Sequence, residues 1–597
     1  MKMIQRLLAG LFMPIRKNGA FFFFMYVLGL VCFYGVIPSN TRGYRIYEHP
    51  WSELFVDVYL LCVILTLFPE KIRKWVRRLF YVIAYSLAII DVYCFVKFDS
   101  PITPTMLLLV GETNSREAGE FFTTYLTPDI LWSRLTFVLA LLLIHIGYAV
   151  RFRKKKFSLR LHTDLSKWFY PLMGLITLVL FVVSLSACFP NKKAYHKLMS
   201  YDRIGDVEHE LTEKNRAFMY QPIYRLVFSI YANRLTSKQL KVLIAGIDKA
   251  QVDSCSYTSK NIVLIIGESY NRYHSQLYGY EKETTPLQLE RARKGELIPY
   301  TDVVAPWNLT SYVFKHLFSM YTVGDKGEWC DYPLFPELFR KAGYHVTFLT
   351  NQFLPKAREE VYDFSGGFFL NNPELSKAMF DTRNTRLYYF DEGLLKDYDN
   401  LKKESKENNL IIFHLKGQHT DYRTRCPKSK QFYTREDYDR PGFSARERQI
   451  MAYYDNGTRY NDSIVNQIIT RFEDEDAIVL YVPDHGEEVF SGNVHFYGRM
   501  HSTEITGRLA REEFDIPMWF YCSHEYMVNH PEIYSAIIRS KDKRFMTDAV
   551  PHLLLYLAGI HSKSYRPEMN ILGEEYNEMR PRILKNTTDY DKIRIKK

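Results

Sequence analysis

The sequence predicts two structural classes in one chain: an α-helical membrane domain of five spans, then a soluble α/β domain on a doubly wound, mostly parallel sheet. Three observations carry this. Five apolar runs crowd the first third of the 597 residues. Lysine and arginine concentrate in alternate loops between those runs. From Asn261 onward, short β-branched or aromatic runs alternate with longer helical stretches, the pattern of strand–helix–strand units. The length exceeds the roughly 100–200 residues of a single domain.

The apolar runs are Ala20–Ile37, Leu54–Phe68, Leu79–Val96, Ile130–Val150 and Trp168–Ala187. Most approach the roughly 20 residues that cross a bilayer as a helix. Leu54–Phe68 is the shortest and carries Asp57, so a tilted or re-entrant segment stays open there. Five successive runs exclude a cleaved signal peptide as the whole explanation. The amino-terminal stub carries Lys2, Arg6, Arg16 and Lys17, and the segment after the second run carries Lys71, Arg73, Lys74, Arg77 and Arg78. A third basic cluster, from Arg151 to Lys167, follows the fourth run, whereas the two remaining loops hold only Arg42 with Arg45, and Arg116. The positive-inside rule then puts the amino terminus in the cytoplasm and everything beyond Cys188 outside it. These cytoplasmic clusters account for much of the net charge of +11. No nucleic-acid motif accompanies it.

The eight cysteines include Cys32, Cys62 and Cys94 within the apolar runs; the four beyond residue 250 are scattered and form no CxxC pair. That excludes a zinc ribbon and leaves room for a disulfide bridge or two at most. Residues 1–187 read as the transmembrane domain, 188–255 as a linker, and 256–597 as an extracytoplasmic catalytic domain. Within the linker, Pro222–Leu235 places apolar side chains at helical spacing around Arg225 and Arg234. Either an amphipathic helix lying on the bilayer or a linker helix packed on the soluble domain fits.

In the soluble part the expected strands are Asn261–Ile266, Tyr344–Leu349, Leu410–His414, Ala477–Val482 and Ile516–Cys522, with helices such as Tyr454–Phe472 and Thr547–Gly559 between. Open α/β sheets hold ligands beyond the carboxyl ends of their strands. The run Ala477–Val482 leads into Pro483-Asp484-His485-Gly486-Glu487. Adjacent Asp and His there offer an oxygen and a nitrogen ligand to zinc or manganese, although Asp-His-Gly is also a common turn. Asn261–Ile266 leads into Gly267-Glu268-Ser269, which supplies a third carboxylate. Leu410–His414 leads into His414-Leu415-Lys416-Gly417-Gln418-His419. His414 suits either the core or the site, and His419, on the loop, suits a ligand or a phosphate donor.

The nucleophile expected beside these groups is a hydroxyl in Asn308-Leu309-Thr310-Ser311, ahead of the helical run Tyr312–Met320. A helix start offers N–H groups to phosphate, but Thr and Ser are also common N-caps. The Cys/Ser-x-Pro-x-Arg signature of formylglycine sulfatases is absent near this point, which argues against sulfate ester hydrolysis.

Further motifs complete the pattern: Glu112-Thr113-Asn114-x-Arg116-Glu117-Ala118 in an outward loop, Tyr278-Gly279-Tyr280, Thr284-Thr285-Pro286, and Tyr454-Asp455-Asn456 with Tyr460. Together with the strand-end motifs and the five apolar runs, the chain resembles, over nearly its full length, membrane-anchored phosphoethanolamine transferases of the alkaline-phosphatase/sulfatase superfamily. That group modifies lipid A or the lipopolysaccharide core. The resemblance implies that Glu268, Thr310, Asp484 and His485 bind one Zn2+, with Mn2+ as the alternative and room for a second ion. It implies Thr310 as nucleophile and His419 against the phosphoryl group or a second metal. His414, His495, Asn114 and Glu112 would bind substrate, with His501 the alternative to His495.

The implied donor is phosphatidylethanolamine, the acceptor a lipopolysaccharide (lipid A or core) or other envelope glycan, and the setting a bacterial inner membrane among its lipids, with the catalytic domain in the periplasm. Three departures bear on this. Leu309 separates Asn308 from Thr310, where the family often has Gly or Asn directly before the nucleophile. The lipid A branch carries many disulfides and reads Gly-Ser-His where this chain has Gly417-Gln418-His419. The last two favour the core-modifying branch. The competing readings are a glycerol-phosphate transferase or phosphodiesterase on the same fold, and a catalytically silent membrane sensor.

Overall fold

A computed structural model describes residues 2–37, 48–98, 101–102, 107, 130, 132–152, 163–202, 207, 221–352, 354, 367–404, 406–500 and 504–594. Two compact units emerge, one drawn from residues 1–107 and 121–235, the other from 236–500 and 504–597.

In the first unit all five apolar runs are helices: α1 (Lys2–Gly35), α2 (Pro50–Leu67), α3 (Glu70–Phe98), α4 (Leu135–Arg151) and α5 (Thr163–Leu198). Four of them, α1, α2, α3 and α5, are long and apolar enough to cross a membrane, one fewer than the five-span reading. The exception is α4, with 17 residues, one fewer than α2. It starts late because the Ser133 hydroxyl accepts the Leu135 N–H at 3.2 Å, which spends the first residues of the run in a turn. Phe137, Leu143, Val179 and Val182 are exposed, as a lipid-facing surface requires.

The next helix, α6, runs from Pro222 to Gly246, well past the expected Leu235, and the boundary between the two units falls inside it. Its first turns are keyed into the first unit by charge. Arg225 Nε donates to Asp91 Oδ1 of α3 at 2.9 Å, and both side chains are buried. The Tyr224 hydroxyl donates to Asp57 of α2 at 2.8 Å, and Lys192 of α5 donates to the same carboxylate, also at 2.8 Å.

The second unit is built on a seven-stranded sheet. Its strands in chain order are β1 (Asn261–Gly267), β2 (Leu297–Tyr300), β3 (His345–Thr350), β4 (Thr382–Arg383), β5 (Asn409–His414), β6 (Ala477–Pro483) and β7 (Met518–Cys522), in spatial order β2-β7-β6-β1-β5-β3-β4. All pairings among β6, β1, β5, β3 and β4 are parallel, whereas β7 runs antiparallel to both of its neighbours. Successive side chains alternate between two cores. Ile262, Leu264, Ile266, Leu480 and Val482 enter one, and Val263, Ile265, Val479 and Tyr481 enter the other. Burial on both faces is why these central strands read as continuous apolar runs. The helices that matter most to the site are α7 (Thr310–Phe318) and α8 (Ala445–Thr470). All four cysteines of this unit are free thiols.

Candidate functional site

Register alone brings the strand-end motifs together. Ile266 pairs with Val482 on one side and with His414 on the other, and His414 pairs with Thr350. Because β6, β1, β5 and β3 run parallel, Asp484-His485, Glu268, the 414–419 loop and Gln352 all emerge along one sheet edge. Glu268, Asp484 and His485 are fully buried, and their ligand atoms lie within 4.8 Å of one another.

Thr310, the first residue of α7, completes the group. Its Oγ1 lies 3.2 Å from Glu268 Oε2 and 3.4 Å from His485 Nε2. The loop ahead of it is anchored by Asn308, whose amide donates to Glu513 Oε2 at 2.6 Å and to the Met500 carbonyl at 2.9 Å.

Each ligand candidate is oriented by a second contact. His485 Nδ1 lies 2.6 Å from the Gly486 carbonyl. It therefore carries the ring proton there and leaves a lone pair on Nε2. Asp484 Oδ1 accepts the backbone N–H groups of Ser269 and His485 at 3.1 and 2.7 Å. Asp484 Oδ2 is buried with no hydrogen-bond donor among the described residues, and it faces His485 Nε2 at 3.1 Å. A cation held between them would satisfy both lone pairs. Burial, then the neighbouring Glu268 carboxylate, push the Asp484 carboxyl well above its usual range, and a divalent ion would reverse that shift. The donor set of two carboxylates, an imidazole and a hydroxyl suits zinc. Glu268 is steadied by Ser269 Oγ at 2.7 Å and by Gln352 Nε2 at 3.0 Å; Gln352 carried no recognisable signal in the sequence.

The surrounding loops approach closely at two glycines. Gly417 has φ +46°, and a Cβ there would press on the Glu268 backbone at 3.0 Å, so the 414–419 loop folds onto the end of β1. A Cβ on Gly486 would clash with the backbone carbonyl oxygen of Glu512. Gly486→Ala is therefore expected to destabilise the domain by about 1–3 kcal/mol and to lower zinc occupancy, read by thermal unfolding and metal analysis of the purified protein.

The histidines separate. His419 closes the 414–419 loop, and its Nδ1 is buried without a hydrogen-bond partner among the described residues. Burial, then Arg425, Arg499 and Lys416, hold its pKa well below the usual histidine range, so the ring is neutral. His414 is fully buried, bonds Thr350 Oγ1 at 2.9 Å and packs against Phe314; burial lowers its pKa to about 3. His495 is not brought to the cluster. It pairs with Glu447 at 2.7 Å, packs on Phe443 and is more than half exposed. In its place stands Arg499, whose Nη1 lies 2.9 Å from His485 Nε2. Glu112, Asn114 and His501 fall outside the described residues.

Residues 260–523 match the sulfatase family model. The similarity to known proteins extends beyond those residues. The chain is 24% identical over 545 residues to phosphoethanolamine transferase EptC of Escherichia coli O18:K1:H7, covering 90% of this chain and 88% of that protein. It is 24% identical over 571 residues to phosphoethanolamine transferase CptA of Salmonella typhimurium, covering 94% and 91%. In fold it matches the integral membrane protein lipooligosaccharide phosphoethanolamine transferase A (EptA) from Neisseria meningitidis. That match has a TM-score of 0.60 at 17% identity and covers 92% of this chain and 97% of that one. The sulfatase domain with a helical membrane unit ahead of it is thus a shared architecture.

Proposed function

We propose that this protein is a metal-dependent phosphoethanolamine transferase that moves phosphoethanolamine from phosphatidylethanolamine to a lipopolysaccharide, in lipid A or core, or to another envelope glycan. One observation carries the chemistry: the Thr310 hydroxyl stands within 3.4 Å of Glu268 and His485, beside the buried Asp484 carboxylate. A hydroxyl there is placed to become a nucleophile. The named activity of relatives aligned over most of their length supports the choice of group transferred.

Glu268, Thr310, Asp484 and His485 would hold one Zn2+, with Mn2+ as the alternative and a second ion as an addition near His419. When bound, the ion lowers the pKa of the hydroxyl and offsets charge at phosphorus. Thr310 Oγ1 forms a bond to the phosphorus of the donor while the bond to the diacylglycerol oxygen breaks, and that oxygen leaves with a proton. An acceptor hydroxyl, or a protonated acceptor phosphate, then forms the bond to phosphorus as the bond to Thr310 Oγ1 breaks, and the acceptor's proton passes to Thr310. His419, neutral on its loop, both donates and accepts hydrogen bonds, as contact with a phosphoryl group requires. His414, Glu112, Asn114 and His501 are the remaining substrate contacts of this reading, His495 standing apart against Glu447. A membrane anchor suits a donor confined to the bilayer, and the protein belongs in the bacterial inner membrane with its sulfatase domain in the periplasm. Residues 1–187, 188–255 and 256–597 serve as anchor, linker and catalytic domain.

Lipid mass spectrometry of cells with and without the protein tests the activity. A phosphoethanolamine increment on lipopolysaccharide that requires the protein is expected. Unchanged lipopolysaccharide with a glycerol-phosphate increment elsewhere would select the glycerol-phosphate transferase instead.

Topology is tested separately. The basic clusters place residues 151–167 in the cytoplasm and the sulfatase domain outside. A reporter active only outside the cytoplasm should work when fused at the carboxyl terminus, and activity of a cytoplasm-only reporter at that position would contradict the assigned orientation.

A further inference from the structure

We infer that Arg499 is a substrate-binding residue of this site, its guanidinium taking the non-bridging oxygens of the phosphodiester that Thr310 attacks. This rests on the transferase reading above and adds to it a residue that neither strand-end motifs nor family resemblance supplied.

Placement is the first argument. Arg499 Nη1 lies 2.9 Å from His485 Nε2, the same nitrogen that Thr310 Oγ1 approaches at 3.4 Å. The guanidinium and the nucleophile therefore face one small volume. A shared strap holds them there: the Asn308 amide, two residues before Thr310, donates to the Met500 carbonyl at 2.9 Å, and Met500 N donates to Glu513 Oε1, also at 2.9 Å. Glu513 Oε2 accepts from the same Asn308 amide at 2.6 Å.

Charge is the second argument. A divalent ion held by Glu268 and Asp484 is balanced by those two carboxylates, and neutral imidazoles add nothing. A phosphodiester brings a further negative charge, which a fixed cation beside the nucleophile offsets. The planar guanidinium fork matches a phosphoryl group bidentately.

Competition is the third. The lone pair on His485 Nε2 serves either an ion or the Arg499 N–H. Once it ligates an ion, the Arg499 N–H gives up that nitrogen while the guanidinium stays beside the nucleophile. A purely structural ion pair with Glu487 accounts less well for the arrangement. Arg499 Nε is 3.6 Å from Glu487 Oε2, beyond hydrogen-bond length, while Glu487 Oε1 is taken by the Tyr422 hydroxyl at 2.6 Å. That contact tethers the side chain, with Nη1 beside His485.

The test uses full-length protein in detergent, with zinc content, melting temperature, O-phosphoethanolamine affinity by calorimetry and transfer rate measured side by side. Arg499→Gln is expected to keep its zinc and melting temperature, to lose O-phosphoethanolamine affinity at least about 10-fold, and to lose transfer by on the order of 10²–10³-fold. Arg499→Lys keeps charge without the fork and should fall between; it also carries the test if the glutamine variant fails to fold. Unchanged O-phosphoethanolamine affinity in Arg499→Gln would overturn the assignment. So would loss of zinc in step with affinity, which would make Arg499 a structural support. Wild-type protein that holds zinc yet neither binds O-phosphoethanolamine nor transfers it would instead bring down the transferase reading itself.

Discussion

Asp484→Ala is expected to abolish both bound zinc and phosphoethanolamine transfer, with a rate loss of at least about 10³-fold. That figure follows from the several kcal/mol that a metal contributes to charge stabilisation at phosphorus, at about 1.4 kcal/mol per tenfold. The alanine variant also strips the acceptor from two buried backbone donors, Ser269 N and His485 N, at about 1–3 kcal/mol each. Asp484→Asn separates the two effects. It preserves an acceptor for those N–H groups but presents no charged oxygen to the ion, so it should melt near the wild-type temperature while holding little zinc. Metal analysis and a transfer assay on the same preparations check this, and full activity in a thoroughly chelated preparation would contradict the metal site.

Thr310→Ala should remove the covalent intermediate and reduce transfer by on the order of 10³–10⁶-fold, the range for deleting a nucleophile that works with a preorganised site. Zinc should be retained by the three remaining ligands, more weakly, and the fold should be unaffected, because the N-terminal turn of α7 is anchored through Asn308. Ser311→Ala should keep substantial activity. Intact-protein mass spectrometry after incubation with phosphatidylethanolamine should show a phosphoethanolamine adduct on the peptide containing Thr310. An adduct on Ser311, or one that persists in Thr310→Ala, would move the role elsewhere. Absence of any adduct under trapping conditions would favour direct transfer to the acceptor.

The central strands were legible because parallel strands covered on both faces leave unbroken apolar runs, and each run ended at a polar motif. Asn261–Gly267 into Glu268 and Ala477–Pro483 into Asp484-His485 are the clearest cases. The two sheet strands that escaped notice, Leu297–Tyr300 and Thr382–Arg383, are its edges. One contains Pro299, which only an edge tolerates, and the other is two residues long; neither leaves a periodic trace. The fifth apolar run is helical too, as α4, but begins only after the turn at Ser133 and is one residue shorter than α2. Pro222–Leu235 had an amphipathic spacing that left its docking face open, and the buried Arg225–Asp91 pair decided how its first turns are held.

By itself, then, the sequence determined the two structural classes and the strand ends that carry Glu268, Asp484 and His485, because those residues close apolar runs of strand length; Thr310 and the joint ligand set came from the family resemblance. Only the tertiary structure decided which residue returns to the site after His485. Gly498 pairs with Glu488 and Tyr497 with Val489 in a short antiparallel hairpin. That register lays Arg499 beside Glu487 and leaves His495 out near the hairpin's turn, against Glu447. The family resemblance pointed to a histidine, His495 or His501, of which His501 lies outside the described residues. Backbone hydrogen bonding, which sets where a hairpin turns and what stands opposite what, delivered an arginine.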